Sequence, residues 1–196
     1  MQVRRNARRE PTRRGDGGHV SVNRYIADYR IVETVDERGR IRSGYEYIGA
    51  PYDYAEGADA VSRARGGIAR VCVAGWAAYV IALVPVSRAT RTLYTALPFA
   101  FIALPLFMIS GLCAALFRQK PPFEHRFADR LENRGPACSF FTALLGAIAL
   151  VGEAVNAVRG GLLPGDAAFA AGAAALVACG AVCHRHWRSL KCRKTR

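Results

Sequence analysis

Residues 93–117 read LYTALPFAFIALPLFMISGLCAALF, and no charged side chain lies between Arg91 and Arg118. As an α-helix this stretch would be about 37 Å long, more than the ~30 Å hydrocarbon core of a bilayer. Working outward, three further apolar runs lie at about 68–86, 136–158 and 167–183. Residues 68–183 therefore read as a four-span transmembrane domain. The fold class expected is an all-α membrane protein: a four-helix transmembrane bundle with a small cytoplasmic N-terminal β-hairpin region and an amphipathic connector helix.

The four runs are not equivalent. The second carries Pro98 and Pro105, about two turns apart, so both distort one face of the helix. Neighbouring spans can re-satisfy the carbonyls such prolines free. The first run starts near Arg70, whose long side chain can reach back to the interface. The third contains Glu153, the one acid within a span, and Asn156 one turn further on. In the Ala-rich fourth, Ala170, Ala174 and Ala178 form a small-residue face suited to close helix contact.

The flanks divide more simply. Residues 1–24 are Arg-rich with almost no apolar content, an arm expected to be disordered. Residues 25–67 form a small module and linker. Within it Tyr29–Val35 is rich in strand formers, Asp36–Gly39 is a turn, and 40–48 alternates with period two, which predicts a β-hairpin. Ile41, Ser43, Tyr45 and Tyr47 share one face of it, and six of the eight tyrosines lie between Tyr25 and Tyr54. A lone hairpin is marginal in water, so this one is expected to pack on the chain's own connector, or to dock a partner. Residues 55–67 read as a linker or short helix, and 184–196 as a basic tail.

The connector, 118–134, follows a pattern of its own. Phe123, Phe127 and Leu131 recur every four residues, as do Arg126, Arg130 and Arg134. That is an apolar stripe flanked by cations, expected to lie in the membrane interface.

Charge sets the orientation. The 196 residues carry a formal charge of +13 and 28 Lys and Arg. With the N-terminus inside, segments 1–67, 118–134 and 184–196 hold 13, 5 and 6 of these, while the opposite side holds only Arg88, Arg91 and Arg159. The positive-inside rule then puts both termini in the cytoplasm, in a multi-pass protein of the cell membrane. The six cysteines fall in the cytoplasmic half or tail, where free thiols are expected. The first apolar run begins near residue 68, so no secretory signal peptide is read. Basic flanks of this kind suit anionic lipid headgroups rather than nucleic acid.

Chemistry is harder to find. The sequence lacks a phosphate-binding loop, His-Glu-x-x-His, Gly-x-Ser-x-Gly and Cys-x-x-Cys. Cys179, Cys183, His184, His186 and Cys192 gather at one end of the fourth run, but at no zinc-site spacing. Glu124, His125, Asp129 and Glu132 are spaced as a solvated helix face rather than an acid/base pair. No catalytic residue, metal or cofactor is expected. Glu153 and Asn156 are the candidate ion or substrate site. The plainer expectation for Glu153 is a carboxylate near the outer interface, hydrogen-bonded to Asn156 or paired with a loop arginine. Tyr45, Tyr47, Phe123, Phe127 and Leu131 are the candidate interface. The sequence reads as a non-enzymatic scaffold or interaction subunit presenting a cytoplasmic hairpin to a membrane or peripheral protein. The alternative is a small proton- or cation-coupled transporter, or a subunit of one, using Glu153.

Overall fold

The computed structural model describes residues 26–35, 41–85, 87, 89–160 and 163–195. The arm 1–24 and the Asp36–Gly39 turn lie outside these. The described residues are mostly helical, 75%, and include four helices long and apolar enough to cross a membrane and a small two-stranded hairpin.

The first long helix, α1, runs Ala58–Leu83. It starts ten residues before the apolar run, taking in most of the stretch read as a linker. Ala58–Arg65 holds three alanines and two arginines, good helix formers, with Asp59 in the first turn, where a carboxylate complements the helix dipole. The second long apolar stretch is two helices, α2 (Leu93–Phe101) and α3 (Ala103–Arg118), broken at Ile102. Pro105 has no N–H to offer the carbonyl of Phe101, so the ladder opens where the proline spacing predicts distortion.

The connector forms a short helix, α4 (His125–Asp129), and a wide π-type turn, Arg130–Arg134, that leads directly into α5 (Gly135–Gly160). The last helix, α6, runs Pro164–Ser189, six residues past the expected end of the fourth span. It is capped by Asp166, whose carboxylate accepts the N–H of Leu163 at 2.7 Å.

The helices pack in an up-down-up-down ring. α6 lies between α1 and α5, and the α2–α3 span closes the ring against α5 and α1. Antiparallel neighbours joined by short connections account for this order. The face of α6 that makes the close contacts is not the one expected. Ala174 and Ala178 are exposed and Ala170 only half-buried. The buried positions are Gly172, Ala173, Leu176 and Gly180, because α6 must meet two helices at once. A Cβ on Gly172 would lie 2.6 Å from that of Ala82 on α1, and one on Gly180 2.7 Å from the backbone N of Ala143 on α5.

Two apolar clusters fill the bundle. One, at the connector end, joins Ile68, Leu116, Leu131, Cys183 and Trp187. The other, at the far end, joins Ala82, Phe99, Ile102, Phe169 and Leu176. Phe123, Phe127 and Leu131 belong to the first, which corrects the expectation that the connector's stripe lies in the lipid interface. Once the connector folds back across the ends of α1 and α6, the stripe finds protein to cover it. Burying each such side chain stabilises by roughly 1.5–3 kcal/mol.

β1 (Tyr29–Val35) and β2 (Ile41–Tyr47) form the expected antiparallel hairpin, with Tyr29 opposite Tyr47 and Ile31 opposite Tyr45. A second small sheet was not legible. β3 (Tyr52–Tyr54) pairs antiparallel with β4 (Cys192–Lys194), so part of the basic tail is a strand. On the other edge of β3, Tyr52 exchanges both backbone hydrogen bonds with Phe123, at 2.9 and 2.7 Å. The N-terminal module, the connector and the tail are thus bonded to one another at one end of the bundle.

Candidate functional site

The hairpin leaves the bundle from a polar hinge. Ile48 and Gly49 donate their N–H groups to the carbonyl of Asp28, closing its open end. Three contacts then tie that end to the connector. The Tyr29 hydroxyl donates to Glu124 Oε2 at 2.6 Å, His125 N–H donates to the Tyr47 hydroxyl at 3.0 Å, and His125 Nδ1 lies 3.0 Å from Asp28 Oδ2. Tyr52 stacks on the His125 ring at 5.2 Å. The hydrogen bond to Glu124, reinforced by burial and the nearby carboxylate charge, pushes the Tyr29 phenol up to about 12.

Beyond the hinge, the described side chains on one face of the hairpin are uncovered. Ile31 is 65% exposed, Ile41 67% and Tyr45 80%, and period-two geometry puts all three on the face that also carries Tyr29 and Tyr47. Of the five candidate interface residues, Tyr45 is therefore open, Tyr47 is half-buried in the hinge, and Phe123, Phe127 and Leu131 are in the core. Ile31 was missed. Its signal was its place opposite Tyr45, which needs the register rather than either strand alone.

At the far end the structure brings Glu153 and Asn156 together, and adds the first turn of α2. Glu153 is 3% exposed. Asn156 Nδ2 donates to Glu153 Oε2 at 3.2 Å, to Thr92 Oγ1 at 3.1 Å and to Thr95 Oγ1 at 3.3 Å, and Asn156 Oδ1 accepts from the Tyr94 hydroxyl. Gly152 permits this approach, since a Cβ there would lie 2.7 Å from Thr95 Oγ1. The carboxylate is thus part of a polar joint between α2 and α5. Thr92, Tyr94 and Thr95 were not singled out from the sequence, because polar residues at the start of a span are common and nothing local tells which helix they face.

The Cys/His group of α6 disperses into separate contacts. Cys183 is in the core, His184 Nδ1 lies 3.0 Å from the Pro136 carbonyl, His186 packs on Gly67, and Cys192 sits in β4. Burial, with Glu132 and Asp53 nearby, pushes the Cys192 thiol up to about 11. Four helices contribute to a narrow crevice on the bundle axis, lined by Cys72, Ile109, Thr142 and Cys183 among others.

No family model, curated protein or solved structure matches the chain.

Proposed function

We propose that this is a four-span, non-enzymatic membrane protein that holds its hairpin at the cytoplasmic face as a docking surface for a protein partner. The observation that carries this reading is the uncovered Ile31–Ile41–Tyr45 face, on the sheet whose hinge end is tied to the connector. A two-stranded sheet also offers outer strand edges, to which an extended segment of a partner can add. Membrane residence is supported by the bundle's outer wall. Val73, Val80, Leu97, Phe107, Phe141 and Val151 are all exposed, an apolar surface far larger than a water-soluble monomer tolerates. The cytoplasmic assignment is supported by the basic segments that share the hairpin's end of the bundle.

A photo-crosslinking residue placed at Tyr45 in cells should capture one discrete protein, and the capture should fall sharply with Ile31→Ser. A ladder of products identical to that from a crosslinker at Arg193, exposed at the same end, would mean the hairpin has no specific partner.

A second reading, the proton- or cation-coupled transporter, is favoured by one observation, a carboxylate buried inside an apolar bundle. It requires that Glu153→Gln abolish a pH- or cation-dependent flux at unchanged expression. A lock between α2 and α5 requires only that Asn156 keep its partners, which glutamine at 153 allows.

A further inference from the structure

We propose that Arg70, Arg118, Arg134 and Arg185, one arginine at the connector end of each span, form a belt that binds the headgroup phosphates of anionic phospholipids. The inference rests on the four-span reading above.

Contacts between the helices set the level of each arginine. Cys72 Sγ lies 3.1 Å from Ser110 Oγ, which registers α1 against the antiparallel α3. Arg118, eight residues past Ser110, is then level with about residue 64 of α1. A Cβ on Gly67 would touch the His186 ring at 2.6 Å, so Arg185 is level with about residue 68. His184 Nδ1 lies 3.0 Å from the Pro136 carbonyl, which puts Arg134 at the level of about residue 186 on α6, and so close to Gly67. Arg70 is deeper by sequence, but its Nε donates to the Gly66 carbonyl at 3.3 Å, so its side chain runs back toward the same level. The four backbone positions fall within ~9 Å along the bundle axis, and Arg70, the deepest, reaches back toward the others.

Three further observations point to a lipid surface. All four arginines are exposed, and among the described residues none of them is in a salt bridge. Each span also carries an exposed apolar side chain on the side of its arginine toward the bundle's middle: Val73, Phe117, Phe140 and Val182. The four belong to different spans around the ring, so the cations face outward on every side. A plane of phosphates surrounding the bundle matches that distribution, whereas a protein docked on one side would reach only one or two. At the far end, Arg91 and Arg159 are exposed. Arg134, just before α5, and Arg159, near its end, are twenty-five residues apart, or ~37 Å, close to the ~40–45 Å thickness of a bilayer with its headgroups.

Native mass spectrometry of the full-length protein in mild detergent tests the belt, with phosphatidylglycerol, phosphatidylcholine or inorganic phosphate added. The wild-type chain should retain phosphatidylglycerol over phosphatidylcholine. Each of Arg70→Gln, Arg118→Gln, Arg134→Gln and Arg185→Gln should weaken that retention about fivefold, while Arg91→Gln with Arg159→Gln leaves it unchanged. Equal retention of the two lipids by the wild-type chain would overturn the proposal even if a variant fails to fold. So would full displacement of phosphatidylglycerol by inorganic phosphate, which would mark a free-anion site. Alkaline carbonate extraction separates this outcome from failure of the four-span reading. A chain released from membranes contradicts the spans, whereas one that stays in membranes without lipid preference contradicts only the belt.

Discussion

Gly172 and Gly111 both sit inside apolar helices, yet they do different work. A Cβ at Gly172 would meet Ala82 Cβ at 2.6 Å and the Ala78 carbonyl at 3.0 Å, while one at Gly111 would meet nothing within 4 Å. Gly172→Ala should therefore push α6 off α1 and cost about 1–3 kcal/mol. Gly111→Ala should be neutral or stabilise by up to ~1 kcal/mol, because alanine restricts the unfolded chain. Thermal unfolding in detergent should show a lower melting temperature for Gly172→Ala and no loss for Gly111→Ala, and equal losses would contradict the packing described. Sequence identified the fourth span as rich in small residues but chose the wrong face, since alanines and glycines recur on every side of it and only the positions of α1 and α5 select one. Glu153 and Asn156 were legible for the opposite reason: polar groups in an apolar run stand out by composition. Their partners Thr92 and Thr95 were not, because the contacts run across about sixty positions of chain, as in the Asn156–Thr95 bond.

At the scale of elements, the connector shows how far a pattern carries. The four-residue recurrence of Phe123, Phe127 and Leu131 was clear, but an amphipathic stripe reads the same whether lipid or protein covers it. The tail carried no strand signal at all. Cys192-Arg-Lys194 forms a strand because β3 offers it an edge, with Cys192 N–H donating to Glu132 at 2.8 Å beside it. The hairpin was legible in both strands, and its docking was expected to fall on the connector, where its hinge lies. That hinge has a defined pH response. The Tyr29 phenol ionises at about 12, above its ordinary value of 10.0, so the protonated form is the one the folded state prefers. The Tyr29–Glu124 contribution should be complete below pH 10 and be lost as pH rises through about 12. Ultraviolet titration of tyrosinate in wild type against Tyr29→Phe should show one phenol titrating late. A Tyr29 that titrates with the exposed tyrosines would mean the hinge is open in solution.

For the whole molecule, the number and order of long apolar helices followed from local composition, because each span must be apolar by itself whatever it packs against. Their ends moved by up to ten residues, since α1, α5 and α6 continue as helices beyond the stretch apolar enough to be noticed. The gathering of N-terminal module, connector and tail at one end was anticipated through charge and through the hairpin's need for cover, and the β3–β4 and β3–Phe123 pairings make it a hydrogen-bonded assembly. The proposed arrangement is a bundle that crosses the membrane four times with the hairpin and the tail together in the cytoplasm. Single cysteines at Tyr45, Thr195 and Arg159, in a background with the native thiols replaced, can be labelled by a membrane-impermeant maleimide in sealed vesicles of either orientation. Tyr45→Cys and Thr195→Cys should label only from the cytoplasmic side and Arg159→Cys only from the other. Labelling of all three from the same side would contradict it.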